Sequence, residues 1–478
     1  MLFNSISFLI FLPIVFVLYW FVTNKKLRIQ NLMLLTASYF FYACWDYRFL
    51  FLLMFSTLLD YYSGIKIEDA SNKSKKQIWL FISIFINLGF LGIFKYYDFF
   101  ALSFAEAVSH LGFQIHPTTI NIILPVGISF YTFHGLSYVI DIYCEKIKSE
   151  RDFINYGLFV SFFPLLVAGP IERATHLLPQ IKKERTFNYS NAILGLRQIL
   201  WGLFKKIVIA DNCAVIANDI FNNYQHLSGS TLLVGAFFFT VQIYGDFSGY
   251  SDIALGTARL FGIELLRNFA FPYFSRDIAE FWRRWHISLS SWFRDYLYIP
   301  LGGSQGGKWK KIRNTFIIFL VSGFWHGANW TFILWGLINA LYFLPLLLSN
   351  SNRVNMHIVA EGKSFPSLKE TLQIAFTFLL TMLAWVFFRS ETVSQALVIL
   401  GKIFSTTLFT VPKGASFIIV ILVLFFFFIE WLGRAHRFAI ENLFPQSSRV
   451  YRWTFYYLLI VLIFLFGGQH QQFIYFQF

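Results

Sequence analysis

A histidine interrupts the longest uncharged stretch of this sequence. Residues 314–352 contain no Asp, Glu, Lys or Arg, and a single α-helix of that length would measure about 58 Å, nearly twice the thickness of the hydrocarbon core of a bilayer. The stretch must therefore break. The predicted break is SGFWHGANW at 322–330, where two glycines flank His326, because glycine adopts backbone conformations that other residues resist.

The chemistry that suits His326 is proton transfer. An imidazole titrates closer to neutral pH than other side chains and accepts a proton from a hydroxyl group. Ionisable side chains inside a membrane are costly and usually face a cavity or a polar partner. The residues alone leave two interpretations open: a general base near Ser322 and Asn329, or a histidine that is hydrogen-bonded between packed helices.

A second histidine lies in the aromatic motif FWRRWHISLSSWFRDY at 281–296. A helix over this motif places five side chains on one face, namely Trp282, Trp285, His286, Leu289 and Phe293. Arg284 and Ser288 then lie on another side. The tryptophans and arginines are also typical of an amphipathic helix that anchors at lipid headgroups, but such anchoring does not explain an imidazole at 286.

The glycine-rich sequence YIPLGGSQGG at 298–307 precedes Lys308, Lys310 and Lys311. It lacks the GxxxxGK[ST] pattern of a mononucleotide-binding loop. We expect a flexible cytoplasmic turn whose basic residues meet anionic headgroups. Contact with the phosphates of an acyl-CoA is the alternative.

The sequence gives less support for a carboxylate site or a metal site. Asp246 and Asp252 are six residues apart and do not share a helix face, so a paired-carboxylate site is not predicted. Asp246 is interpreted as orienting a histidine or an arginine, or as a helix cap. The sequence has neither HExxH nor a Cys/His cluster, and we expect no metal site.

The composition requires a membrane around these motifs. Hydrophobic residues make up 57% of the 478 residues and charged residues 13%, about half of the ~25% found in soluble domains. A bilayer solvates the excess apolar surface, so membrane lipid is the expected environment. The net charge of +14 is explained by Lys and Arg in cytoplasmic loops, and nucleic acid is not an expected partner.

Apolar stretches long enough to cross the membrane predict eleven or twelve transmembrane helices in one membrane domain over residues 1–478. They occur at 5–22, 29–45, 49–65, 77–94, 117–140, 153–171, 227–245, 314–352, 371–388, 414–429 and 453–478. Basic clusters follow spans one, three and five, which places these loops in the cytoplasm and the N-terminus outside. The polar and aromatic region 246–313 suits neither lipid nor solvent, and we expect re-entrant or interfacial helices there.

The two histidine motifs resemble those of the membrane-bound O-acyltransferase family, specifically the branch of the alginate O-acetyltransferase membrane subunit. The matching sequences are FWRRWHISLSSWFRDYLYIPLGG at 281–303 and SGFWHGANWTFILWG at 322–336. Further similar sequences are LPVGISFYTFHGLSYVIDIY at 124–143, FFPLLVAGPIER at 162–173, YGDFSGYSDIALGTARLFGI at 244–263 and AWVFFRS at 384–390.

The resemblance implies a fold in which helices ring a central tunnel between the cytoplasm and the outer face. It implies that His326, which matches the family's near-invariant histidine, is the general base, and that His286 orients the acyl donor or stabilises the oxyanion. Trp282, Arg284, Trp285, Asp246 and Asn329 are expected to contact substrate. No bound cofactor is expected, and acetyl-CoA is the expected acyl donor.

The resemblance further implies O-acetylation of a surface polysaccharide at the bacterial inner membrane. The acetyl group would pass to the sugar directly or through an extracytoplasmic partner acetyltransferase or polysaccharide assembly complex. D-alanyl transfer to teichoic acid from a carrier protein is the alternative within the family, although YIPLGG resembles the acetylating branch more. A polysaccharide or lipid transporter is the alternative outside the family, but the break at 323–327 has no counterpart near the N-terminus, where an inverted repeat would place one.

Overall fold

The computed structural model describes residues 1–120, 122–167, 169–443, 448–468 and 471–474. Over these residues the chain is helical and contains no β-strand. Six helical segments are long and apolar enough to cross a membrane: Tyr47–Asp69, Lys73–Ser109, Gly229–Leu260, Trp330–Leu348, Leu368–Arg389 and Arg449–Phe466. Shorter apolar helices cover Ile6–Val22, Val393–Ile403 and Phe417–Leu432. The all-α polytopic membrane fold is confirmed, whereas the number of crossings and the central tunnel stay predictions.

The chain forms two compact units, which comprise residues 1–195 with 257–266, and residues 196–256 with 267–478. The single membrane domain over 1–478 stays a prediction. The first unit contains α1 (Ile6–Val17), α2 (Leu27–Ala43), α3 (Tyr47–Asp69), α4 (Lys73–Leu91), α5 (Tyr97–Ser109), α6 (Ile128–Tyr143), α7 (Phe153–Ser161), α8 (Phe163–Leu166), α9 (Ala174–Lys182) and the start of α10 (Tyr189–Leu203). π-helical turns at Leu18–Val22 and Gly92–Tyr96 extend α1 and join α4 to α5.

Ion pairs in the first unit connect the three basic loops that were predicted to share one side of the membrane. Arg28 pairs with Asp152 at 3.4 Å, and Arg151 pairs with Asp69 at 2.7 Å. Lys76 pairs with Glu145 at 2.8 Å. The loops that follow spans one, three and five therefore lie on the same side, as the charge pattern predicted.

Two predicted spans of this unit are shorter than expected. The span predicted at 117–140 becomes helical only at Ile128, because Pro125 and a left-handed Gly127 (φ +75°) precede α6. The span predicted at 153–171 is divided between α7 and α8 at Phe162, just before Pro164. A proline cannot donate the backbone hydrogen bond that would continue the first helix.

The second unit contains the rest of α10, α11 (Asp211–Asn222), most of α12 (Gly229–Leu260), α13 (Ile278–Arg284), α14 (Ile287–Phe293), α15 (Lys308–His326), α16 (Trp330–Leu348), α17 (Leu368–Arg389), α18 (Val393–Ile403), α19 (Phe417–Leu432) and α20 (Arg449–Phe466). π-helical turns lie at Phe204–Ala210 and Arg294–Tyr298, and 3-10 turns at Tyr224–His226, Pro272–Phe274 and Thr406–Phe409. Of the last predicted span, residues 469, 470 and 475–478 lie outside the described residues.

The span predicted at 227–245 continues to Leu260, because buried lysines neutralise its two aspartates. Lys206 pairs with Asp246 at 2.8 Å and with Asp211 at 2.7 Å. Lys205 pairs with Asp252 at 2.5 Å. The short helices expected within 246–313 are present as α13 and α14, each of seven residues, which is about 10 Å and too short to span a bilayer.

Candidate active site

The helix break that the sequence predicted at His326 is present. α15 ends at His326, and Gly327 has an extended backbone (φ −163°, ψ 151°). α16 begins at Trp330, where the side chain of Asn329 accepts a hydrogen bond from the backbone N–H of Thr331 at 3.0 Å. Asn329 is therefore a helix N-cap, a position at which Asn is strongly preferred.

The prediction of one continuous helix through residues 281–296 is wrong, because the chain turns at His286. This residue has a left-handed backbone (φ +42°, ψ 56°) between α13 and α14. The backbone N–H of Ile287 donates to the carbonyl oxygen of Asn268 at 2.9 Å, and the hydroxyl of Ser288 donates to the Asn268 side chain at 2.6 Å. Contacts with the preceding loop thus replace the helical hydrogen bonds.

The five side chains that were predicted to share a helix face still lie together, but they meet across the turn at His286 and not along a single helix. Trp282, Trp285, His286, Leu289 and Phe293 all line one cavity of about 520 Å³ in the second unit. Its other lining residues are Ser290, Arg294, Tyr298, Ser304, Lys311, Thr315, Ile318, Phe319, Ser322, His326, Phe343, Leu347, Asn350, Asn352 and Arg353. The cavity therefore joins both histidine motifs.

The two imidazoles lie together in this cavity. The ring centroids of His286 and His326 are 6.5 Å apart, and the two residues are 1% and 4% exposed. At this separation an oxygen atom between the rings can reach a nitrogen of each by hydrogen bonding. The arrangement is suited to moving a proton and stabilising a nearby charge on the same small group.

Aromatic rings surround the histidines. The ring of Phe247 meets His286 edge-on at 4.7 Å, and Trp335 meets His326 edge-on at 5.1 Å. Trp385 stacks on Trp335 at 5.4 Å. The packing of these rings buries both histidines, and electrostatic interactions are stronger at buried sites than in water.

One face of α15 leads from a basic end of the cavity to the histidines. Lys311, Thr315, Ser322 and His326 all line the cavity, and the fifteen residues from Lys311 to His326 rise about 22 Å along the helix. Arg294 and Arg353 lie with Lys311 among the lining residues. The two arginines were not predicted from the sequence as site residues. The residues of α15 that line the cavity recur every three or four positions, and this spacing could have identified the face of the helix that borders the site.

The glycine-rich loop 298–307 forms part of the cavity wall, through Tyr298 and Ser304. The buried side chain of Asn314 holds this loop, since its amide donates to the carbonyl oxygens of Leu301 at 3.2 Å and Gly303 at 3.0 Å. Four of its glycines have positive φ angles, at positions 302, 303, 306 and 307. The loop that was expected to be a flexible turn is thus tethered to α15.

Three of the residues expected to contact substrate lie outside the cavity lining. Arg284 pairs with the buried Glu280 at 2.8 Å. Asp246 pairs with Lys206 and accepts a hydrogen bond from the backbone N–H of Ile474 at 2.7 Å. Besides capping α16, Asn329 donates to the backbone oxygen of Glu391 at 2.8 Å. Trp282 and Trp285, in contrast, line the cavity beside the histidines.

Comparison with known proteins places these elements in a family. The family model for "MBOAT, membrane-bound O-acyltransferase family" matches residues 144–360, which include both histidine motifs. The chain is 40% identical over 407 residues to the "Probable alginate O-acetylase AlgI" of Pseudomonas syringae pv. tomato, covering 85% of this chain and 75% of that protein.

Two further relatives differ in the group they transfer. The chain is 38% identical over 429 residues to the "Peptidoglycan O-acetyltransferase" of Helicobacter pylori, which covers 84% of this chain and 79% of that protein. It is 30% identical over 239 residues to the "Teichoic acid D-alanyltransferase" of Bacillus subtilis, with coverage of 48% and 60%. The two acetylating relatives are thus more similar to this chain in sequence, and over more of its length, than the D-alanyltransferase.

Proposed function

The chain belongs to the membrane-bound O-acyltransferase family, and we propose that it O-acetylates a bacterial surface polysaccharide with a thioester, acetyl-CoA, as donor. The acetylating relatives match 84–85% of the chain at 38–40% identity, which favours acetyl transfer. D-alanyl transfer to teichoic acid is less supported, since that relative matches only 48% of the chain.

The observation that carries the proposal is the pair of buried imidazoles in one cavity. His326 acts as the general base and His286 as a hydrogen-bond donor to the carbonyl oxygen of the donor thioester. A positioned base contributes typically 10²–10⁴-fold, and one donor to a developing oxyanion about 10²–10³-fold. Trp282 and Trp285 confine the acyl group beside the rings.

The reaction follows from these roles. The acceptor hydroxyl loses its proton to His326 while its oxygen attacks the thioester carbonyl carbon. The carbonyl oxygen becomes negatively charged and accepts the hydrogen bond from His286. When the intermediate collapses, the C–S bond breaks, and the thiolate takes the proton back from His326. The products are an O-acetyl ester and a free thiol, with no oxidant or reductant required.

The donor and the acceptor reach the histidines from opposite sides in this proposal. The basic end of the cavity, with Arg294, Lys311 and Arg353, suits the phosphates of acetyl-CoA on the cytoplasmic side of the inner membrane. The acceptor is the sugar or a hydroxyl of an extracytoplasmic partner acetyltransferase within a polysaccharide assembly complex. The positive-inside rule supports this orientation, because the first turn of α15, at the basic end of the cavity, carries Lys308, Lys310 and Lys311.

Replacement of His326 by Ala tests the catalytic assignment. In cells whose only copy carries His326→Ala, we expect the protein to accumulate normally and surface O-acetyl esters to fall to background. His226→Ala is the matched control, because His226 is exposed and outside the cavity lining. Unchanged ester content in the His326→Ala cells would refute the assignment.

The identity of the donor needs a separate measurement. Membranes that contain the wild-type protein should transfer label from labelled acetyl-CoA to a polymer or to a partner protein. Transfer that depends instead on an acylated carrier protein would refute the acetyl-CoA proposal and support the D-alanyl alternative.

A further inference from the structure

A second cavity lies in the first compact unit and shares no lining residue with the cavity of the histidines. It measures about 340 Å³ and lies between Trp20, the segment 183–188 and the chain from Arg259 to Gly262 at the end of α12. Three cations, Lys183, Arg185 and Arg259, line it with one carboxylate, Glu184. The cavity is therefore a small polar site with an excess of positive charge.

Arg185 has capacity to bind a ligand there. Its Nη2 donates to the side chains of Asn31 and Gln30, and its guanidinium lies over the ring of Tyr19 at 5.6 Å. Its Nε and Nη1 are buried and form no well-aligned hydrogen bond among the described residues, and the Tyr19 hydroxyl is the polar group that interacts with the guanidinium on this side. Buried guanidinium donors without well-aligned acceptors are costly, and phosphate oxygens match this planar donor geometry.

The base of the cavity is formed around a glycine that leaves it open. Gly262 has a left-handed backbone (φ +73°), and a Cβ placed on it would lie 3.6 Å from Cβ of Arg185 and 3.8 Å from the indole of Trp20. A side chain at this position would therefore extend into the space that Arg185 and Trp20 border.

The position of the cavity in the chain corresponds to the depth of lipid headgroups. Trp20 lies in the last turn of the first apolar helical segment, Ile6–Val22, and exposed Lys25 and Lys26 follow within six residues. The Trp20 indole donates to the carbonyl oxygen of Leu260 at 2.9 Å, and the half-exposed ring of Phe187 meets it edge-on at 5.6 Å. Tryptophan beside lysine is typical of the membrane–water interface.

From these observations we infer that the cavity formed by Trp20, Lys183, Arg185, Arg259 and Gly262 binds the phosphate of an anionic phospholipid headgroup. The guanidinium of Arg185 pairs with the phosphate, and Lys183 and Arg259 add positive charge. The exposed Phe187 and the apolar surface of α1 lie beside the acyl chains. This site does not depend on the proposed acetyl transfer.

Lipid binding by the purified full-length chain tests the inference. The protein is delipidated in detergent and incubated with phosphatidylglycerol or with phosphatidylcholine of the same acyl chains, and native mass spectrometry counts the lipids retained. We expect one phosphatidylglycerol to be retained per chain, with phosphatidylcholine bound at least about fivefold more weakly, since each basic residue at a membrane surface favours anionic lipid to about that extent.

Two variants and a matched control show whether the cavity is responsible. Arg185→Gln removes the phosphate donors, and Lys183→Glu reverses a lining charge without touching the hydrogen bonds to Asn31. Lys26→Glu makes the same charge change at an exposed position outside the cavity lining. We expect Arg185→Gln and Lys183→Glu to lose the retained lipid and Lys26→Glu to keep it.

Three results would overturn the inference. The first is equal retention by Lys183→Glu and the wild-type protein. The second is an equal loss in Lys183→Glu and Lys26→Glu, which would indicate a general effect of surface charge. The third is binding of inorganic phosphate that Lys183→Glu abolishes while the wild-type protein retains no lipid, which would assign the cavity to a soluble phosphate.

Discussion

Gly323 of α15 and Gly336 of α16 face each other where the two helices cross. A Cβ on Gly323 would lie 2.3 Å from the carbonyl oxygen of Phe332, and one on Gly336 would lie 2.3 Å from that of Phe319. The backbones can approach this closely only because neither position has a side chain. His326 follows Gly323 by three residues, so this crossing fixes the imidazole against Trp335, at a ring separation of 5.1 Å.

Gly323→Ala is therefore expected to destabilise the helix pair. An added methyl group in a well-packed contact typically costs about 1–3 kcal/mol, and moving α15 also displaces His326. We expect a lower thermal unfolding temperature in detergent and reduced acetyl transfer. Gly401→Ala in α18 is the control, because nothing lies within 4 Å of its added Cβ. Equal unfolding temperatures for Gly323→Ala and the wild-type protein would contradict the predicted clash.

The left-handed backbone of His286 allows its chemical role to be separated from its structural one. Asn is several-fold enriched in this conformation, and its amide also donates a hydrogen bond. We expect His286→Asn to unfold at the wild-type temperature and to keep activity within about tenfold, whereas His286→Ala loses about 10²–10³-fold. Steady-state acetyl transfer by the purified protein is the measurement. An equal loss of activity in both variants would contradict the hydrogen-bond donor role.

The break at His326 could be predicted from sequence, but the turn at His286 could not. The first follows from the length of an uncharged stretch and from two glycines next to the histidine. The second occurs in a motif without glycine or proline. The turn at His286 depends instead on hydrogen bonds to Asn268, which lies eighteen residues earlier in the sequence. Local sequence patterns carry no signal for such a contact.

The end of α12 was predicted too early for a related reason. Asp246 and Asp252 made the sequence after residue 245 too polar for a helix that faces lipid. Their partners Lys206 and Lys205 lie about forty residues earlier, in a π-helical turn that the apolar pattern did not reveal. A charged residue inside the membrane is neutralised by a partner of opposite charge, and a single sequence does not show which residues are partners.

Lys206→Met tests the structural importance of this buried ion cluster. Removing the lysine leaves Asp211 and Asp246 buried without their shared cation, and breaking a buried ion pair costs about 3–5 kcal/mol. We expect little folded protein in gel filtration. A triple variant, Lys206→Met with Asp211→Asn and Asp246→Asn, removes all three charges and should recover much of the yield. A wild-type yield of folded Lys206→Met protein would contradict the structural importance of the cluster.

The basic end of the cavity can be tested through the donor. Lys311 lines the cavity, whereas the adjacent Lys310 does not, so Lys311→Glu and Lys310→Glu make the same charge change on the same turn of α15. A phosphate contact near the surface is screened by salt, and His326 lies about 22 Å away along the helix. We therefore expect Lys311→Glu to raise KM for acetyl-CoA about tenfold at low salt, with kcat nearly unchanged and the difference smaller at high salt.

Lys310→Glu should leave KM near the wild-type value, because its charge lies outside the cavity. Two results would contradict the role of the basic end in donor binding. One is an equal rise of KM in both variants, since that would reflect the overall charge at the start of α15. The other is a fall in kcat without a change in KM for Lys311→Glu. That result would mean that the substitution disturbs the histidines through α15 and leaves donor binding at this end unaffected.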